Sequence, residues 1–155
     1  IATEQVVVAV SKMKQMHDNA PLIRIEHCQF ISRDIAEKAK SLGIILSMQP
    51  NFNYDSVQYS DRLSEKYCSH NNPFRMLIDE VGYSPGKDLI FGSDGMPHGI
   101  DYALEMSLFP PFPCQKLTLN EFISGYCVAD MKKGYIEIEI DEEEHSISRN
   151  VMIKC

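Results

Sequence analysis

Three short apolar runs, at residues 22–27, 44–48 and 89–91, are separated by segments whose apolar residues recur at helical spacing. The runs lack the strict alternation of a strand with one wet face, so they are expected to be covered on both faces. Hydrophobic strands interleaved with helices imply an α/β fold, a parallel sheet flanked by helices. Val6, Ala9, Val10, Met13 and Met16 mark one helix, with Thr3 placed to cap it. Ser32 can cap a second, on which Ile35, Ala36, Ala39 and Leu42 share a face and Gly43 follows as the stop. Asn72 and Pro73 suit the start of a third, with Phe74, Leu77, Ile78 and Val81 inward and Gly82 at its end. Two more are expected at 100–107 and 119–128, split by Pro110-Pro111-Phe112-Pro113.

Residues 51–71 mix Phe52, Tyr54, Tyr59 and Tyr67 with polar side chains and read as a long loop with one short helix at 56–67. Loops of that length after a strand are more often functional than idle. The tail changes style. Ile136, Ile138 and Ile140 alternate with Tyr135, Glu137 and Glu139, as in a strand with one wet face. After the acidic turn Asp141-Glu142-Glu143-Glu144, residues 147–153 can return as its antiparallel partner. The chain is therefore expected to divide into an α/β part, 1–130, and a β-hairpin, 131–155.

At 155 residues the chain fits one ordinary domain, and 44% apolar with 24% charged residues is a globular composition. The net charge of −7 argues against an electrostatic grip on nucleic acid. No apolar stretch approaches the roughly 20 residues that span a bilayer, so no membrane partner is expected. Five cysteines are scattered without a C-x-x-C pair, which suggests neither a zinc knuckle nor a disulfide framework and fits a reducing cytoplasm. The chain opens on Ile1 rather than methionine and carries no signal peptide pattern, so a trimmed start is expected.

Chemistry in parallel sheets gathers at the carboxyl ends of the strands. His27, Gln49 and Asp94 are the polar residues at three such ends. A single strand-end histidine or a lone Ser-Asp-Gly carries little meaning, because both also make ordinary turns. Together, a nitrogen and an oxygen ligand suit a borderline-soft divalent cation such as zinc. An aspartate beside that ion can take a proton from water the ion has acidified. His98 follows Asp94 by four residues, where it can face a ligand or simply occupy a surface loop. His17, His70 and His145 belong to a helix end, a polar loop and the acidic turn. Cys28 is expected on the opposite side of its strand from His27, as a small buried hydrophobe.

The stretches "RIEHCQF", "DIAEKAKSLGIILSMQPNF", "PFRMLIDEVG" and "LIFGSDGMP", in their order and spacing over residues 1–126, resemble the C-terminal half of the amidohydrolase superfamily. The nearest branch is amidohydrolase family 3, which includes exoenzyme regulatory proteins. The resemblance implies a TIM-type parallel β/α barrel, of which this chain would hold the last strands and helices, plus a hairpin from a small β-sandwich. It implies hydrolysis of amide-type C–N bonds in small molecules, with one or two divalent ions, usually zinc. By the same resemblance His27 is a metal ligand on the sixth strand. Asp94, on the eighth, is a metal ligand and the general base and acid. Gln49, at the end of the seventh, contacts substrate; His98 is a second candidate for substrate contact by its place in the loop beyond Asp94.

The family's H-x-H pair, its bridging lysine or glutamate and its fifth-strand histidine do not occur here, and residues 135–155 match it poorly. Two other readings stay open. One is a non-catalytic regulatory or binding protein on the same scaffold; the other is an unrelated α/β domain in which His27 and Asp94 are structural. A catalytic zinc needs about three protein ligands, and the chain offers two. Three strands cannot close a barrel, and open edges favour pairing with a second copy. The chain is thus expected to be a fragment of a longer hydrolase, inactive and metal-poor alone. Zinc should leave its melting temperature unchanged in a thermal-shift titration, whereas a stoichiometric rise would show that the chain holds the ion unaided.

Overall fold

The computed structural model describes residues 2–17, 19–95, 100–126 and 134–153. Helix α1 (Ala2–Met16) leads through β1 (Arg24–Glu26) and α2 (Arg33–Ser41) to β2 (Ile45–Met48). A 3-10 turn at Pro50–Tyr54 and two single-turn helices, α3 (Asp55–Gln58) and α4 (Glu65–Cys68), cross to a π-helical turn at Met76–Glu80. Strand β3 (Leu89–Phe91) follows, then α5 (Ile100–Leu108), a 3-10 turn at Pro113–Gln115 and α6 (Leu119–Tyr126). Strands β4 (Gly134–Asp141) and β5 (Ser146–Ile153) close the order. The architecture is mixed α/β. One sheet is parallel, in the order β1-β2-β3, with Ile25 beside Leu46 and Leu46 beside Leu89. The other is the antiparallel β4–β5 hairpin, in which Ile140 faces Ile147.

Burial explains the middle of the sheet. Leu46 and Met48 of β2 and Leu89 of β3 are fully buried, as the apolar runs require. Ala36 and Ala39 put small, fully buried side chains on the inner face of α2, which packs beside α1 and the π turn. Gly43 takes φ 65 just beyond α2 and its N–H donates to Lys40 O at 2.9 Å, the expected left-handed stop. Phe74, Leu77, Leu104 and Phe122 complete the core from the far side. Ile138 and Ile147 of the hairpin pack against that core, and Phe109 stacks on His145 with ring centroids 4.7 Å apart.

Several elements depart from the sequence expectation. The first strand spans three residues rather than 22–27; Arg24 and Glu26 are exposed, as is Leu22 at 75%. The cause is that one face of β1 is uncovered: Arg24 and Glu26 share it, while Ile25 packs against the core from the other. Thr3 lies inside α1 instead of capping it, and its side chain hydrogen-bonds Cys28. Asn72 does not cap the third helix, because it holds φ 46 and spends its side chain on Gln49 and Asn53. That helix opens into a π turn, closed by Val81 N–H to Met76 O at 3.1 Å. In place of one helix at 56–67, α3 and α4 flank a turn in which Arg62 and Leu63 both donate to Tyr59 O. The last helix of the α/β part is described to Tyr126; residues 127–133, and with them the expected boundary at 130, lie outside the described residues.

A polar clamp joins the π turn to α6. Thr118 and Glu121 form a capping pair at the start of α6: Thr118 N–H donates to Glu121 Oε2 at 2.7 Å and Glu121 N–H to Thr118 Oγ1 at 3.2 Å. Arg75 donates to the other oxygen, Oε1, at 2.8 Å. Burial raises the Glu121 carboxyl, but the bonds from Arg75 and Thr118 outweigh it and hold the group below its ordinary value. The folded protein therefore binds this proton less readily than the unfolded chain does. The stabilisation is complete above the unfolded carboxylate value, about 4.3, and fades as pH falls through the lower folded value. The melting-temperature gap between wild type and Glu121→Gln should be widest near pH 7 and should narrow at pH values below about 4.

Candidate functional site

All three parallel strands end on one side of the sheet, and the backbone turns abruptly there. His27 is still held by the ladder, its N–H donating to Ser47 O at 2.8 Å. Its φ is 69 and that of Cys28 is 57, so the chain leaves β1 through two successive left-handed residues. Beyond β3, Asp94 has φ 50 and Gly95 φ 75. Parallel neighbours lie about 4.8 Å apart, so β1 and β3, with β2 between, are separated by roughly twice that. The side chains close the gap across the end of β2. His27 Nε2 and Asp94 Oδ2 are 3.6 Å apart, with about half of each side chain exposed (48% and 54%). Phe52 stacks on the His27 ring at 6.1 Å and 28°, which limits how the imidazole can turn.

Stability alone does not account for this arrangement. A left-handed backbone costs a residue with a side chain about 1–2 kcal/mol, less for aspartate, and His27, Cys28 and Asp94 all adopt it here. An ion pair this exposed returns about 0–1 kcal/mol. Backbone strain that its local contacts do not repay is characteristic of functional sites. The separation also suits a shared ion. Zinc sits about 2.0–2.2 Å from imidazole nitrogen and carboxylate oxygen, so two such donors 3.6 Å apart can both touch one cation. Among the described residues, no group of three His, Cys, Asp or Glu side chains converges to complete such a set.

Gln49 follows directly on the end of β2. It is 3% exposed, its Nε2 makes only a long 3.4 Å contact with Ser47 O, and its Oε1 accepts no hydrogen bond among the described residues. A buried acceptor of this kind seeks a donor. His98 lies outside the described residues. The other histidines do not join the pair: His70, for example, is engaged by Lys66 O and Ser69 Oγ on α4 and its end.

Sequence reasoning missed the buried amides behind the site. Asn51, Asn53, Asn71, Asn72 and Gln115 are all at most 4% exposed. Asn53 donates to Met106 O at 2.8 Å, Asn71 to Phe52 O at 2.8 Å and Gln115 to Asn53 O at 3.1 Å. The residues 51–71 are thus anchored at both ends by polar bonds rather than by an apolar face. The available signal was the Asn51-Phe52-Asn53 triplet directly after a buried strand and the Asn71-Asn72 pair before a proline. No protein-family model, curated protein or solved structure matches this chain.

Cys28, beside His27, is 4% exposed and takes no part in the pair. Burial pushes its thiol up to about 12; Thr3 opposes this, and the Glu26 charge adds to it. Thiolate is the reactive form, so this cysteine should be inert while the turn is intact. In the folded protein at pH 8, iodoacetamide should label Cys28 far more slowly than in denaturant, as mass mapping of the peptide would read. Equal rates would mean that the left-handed turn does not bury the thiol.

Proposed function

We propose that His27 and Asp94 are two ligands of a divalent metal, zinc by their nitrogen and oxygen donors, in a hydrolase that cleaves amide-type C–N bonds of small molecules. In this reading the parallel strands β1, β2 and β3 are consecutive staves of a TIM-type β/α barrel. The remaining ligands come from residues other than those described. The observation that carries the proposal is the 3.6 Å approach of an imidazole and a carboxylate, from two strand ends, through strained turns whose cost the pair itself does not repay.

A bound divalent ion would supply a Lewis acid that brings water towards deprotonation near neutral pH. The residues have separate tasks. His27 offers neutral Nε2 as a donor, its ring plane limited by Phe52. Asp94 is the general base: its carboxylate, half open to solvent at the strand end, can accept a proton from an attacking water and return it to the leaving nitrogen. Gln49 Oε1, buried without a donor among the described residues, suits an N–H of the substrate and so favours a nitrogen-bearing substrate. The exposed aromatic rings of Phe30, Tyr54 and Tyr67 follow the same loops and offer apolar contact area for the rest of the molecule.

In the intact protein, Asp94→Asn should lower C–N hydrolysis by about 10²–10⁴-fold, the usual contribution of a general base, and His27→Ala should lower the bound metal measured by elemental analysis. Unchanged hydrolysis together with unchanged metal content in both variants would reduce the pair to a structural contact. Stoichiometric metal with no hydrolysis of any C–N substrate would instead favour a binding protein on the same scaffold.

A further inference from the structure

Two asparagines connect the loops that carry the site. Asn51 donates Nδ2 to Ser93 O at 3.0 Å, so the loop after β2 grips the residue immediately before Asp94. Asn72 donates Nδ2 to Gln49 O at 3.0 Å and to Asn53 Oδ1 at 2.8 Å. Its own N–H bonds Gln29 O at 2.7 Å, two residues beyond His27. The Asn51 amide therefore spans the loops after β2 and β3, while Asn72 joins those after β1 and β2 with its side chain on the second and its backbone N–H on the first. Both are interior, at 4% and 0% exposure.

The sheet ladder cannot do this work. Its last bonds at the strand ends are His27 N–H to Ser47 O and Gly92 N–H to Met48 O, and beyond them the chain turns left-handed. The angle at which His27 and Asp94 project is thus set by whatever holds the following peptides. Peptide carbonyls in the interior need donors, and Ser93 O receives the Asn51 amide, while Gln29 O receives the backbone N–H of Asn72. An apolar side chain would fill either place without a desolvation cost, but at 51 it would take the side-chain donor from Ser93 O and at 72 it would untie the Gln29 partner from Gln49 O and Asn53 Oδ1.

We infer that Asn51 and Asn72 are positioning residues that hold the strand-end loops so that the His27 ring and the Asp94 carboxylate meet across β2. The inference rests on the reading of the two as one site, and it concerns how the pair is held rather than what it catalyses. Neither amide touches His27 or Asp94 side chains directly; both act through backbone.

The test is a cycle on a spectroscopic signal. At one fixed pH, Asp94→Asn displaces the His27 ring proton resonances of the wild-type chain. The same displacement is then measured in Asn51→Ala and in Asn72→Gly, which keeps the left-handed backbone while removing the amide. Tyr83→Phe serves as the control, since it removes a buried bond to Ile44 O at the amino end of β2, away from the strand-end loops. The displacement should fall below half in Asn51→Ala and Asn72→Gly, and should stay at its wild-type size in Tyr83→Phe even though that melting temperature falls. Should Asn51→Ala not fold, Asn51→Ser is read in its place. A full-sized displacement in the folded Asn51 and Asn72 variants overturns the inference, as does its loss in Tyr83→Phe. Absent displacement in the wild-type chain removes the pair itself. Metal content and hydrolysis are scored separately, so their failure alone ends the hydrolase reading and leaves the positioning role standing.

Discussion

Strand β2 is bonded on both sides, and the rest of the molecule is arranged around that fact. Ile45 N–H takes Ile23 O and Leu46 N–H takes Asp88 O, while Ser47 O and Met48 O receive the N–H groups of His27 and Gly92. Leu46 and Met48 are fully buried, and complete burial of such side chains contributes about 1.5–3 kcal/mol each. That burial fixes the register, since a slip of one residue would put Leu46 and Met48 where Ile45 and Ser47 pack on the other face. Register in turn decides where β1 and β3 end relative to each other. The meeting of His27 and Asp94 is a consequence of β2 lying between them with one permitted alignment on each flank.

The far end of the sheet is less comfortable than its centre. Left-handed residues follow β1 and β3, and the loop between β2 and β3 buries amides, some of whose acceptors find no donor among the described residues, such as Gln49 Oε1 and Asn72 Oδ1. Each such group costs about 1–3 kcal/mol, a large share of a folding margin of about 5–15 kcal/mol. An apolar filling would be cheaper. What the amides provide instead is direction: hydrogen bonds fix angles between loops, whereas apolar contacts tolerate sliding. A site that must hold a nitrogen and an oxygen a few ångströms apart gains from the first property and loses by the second.

How much of this can be read without coordinates varies by element. The run at 44–48 announces a buried strand because Ile44, Leu46 and Met48 fill one face and Ile45 breaks the alternation on the other, and the structure places it centrally. The same rule misjudged β1. Its pattern is that of a strand covered on both faces, but coverage depends on a neighbour and not on the strand's own residues. Gly43 was legible because few residues other than glycine take a left-handed stop easily. Asn72 looked like a helix cap, which is the local use of asparagine; its partners Gln49 and Asn53 lie about twenty positions back and carry no local signature. The hairpin was plain from alternating isoleucines, since period two needs no partner to be recognised.

The sequence by itself determined which residues end the buried runs, that an imidazole and a carboxylate are among them, and that helix and strand alternate before an antiparallel hairpin. These properties are local, being set by spacing and side-chain type over a few residues. Only the tertiary structure decided that the two groups face each other across a third strand, that their turns are left-handed and that a buried set of amides braces them. Those properties depend on contacts between positions tens of residues apart, such as Asn51 with Ser93 and Asn72 with Gln29, and such contacts leave no periodic trace in the chain that makes them.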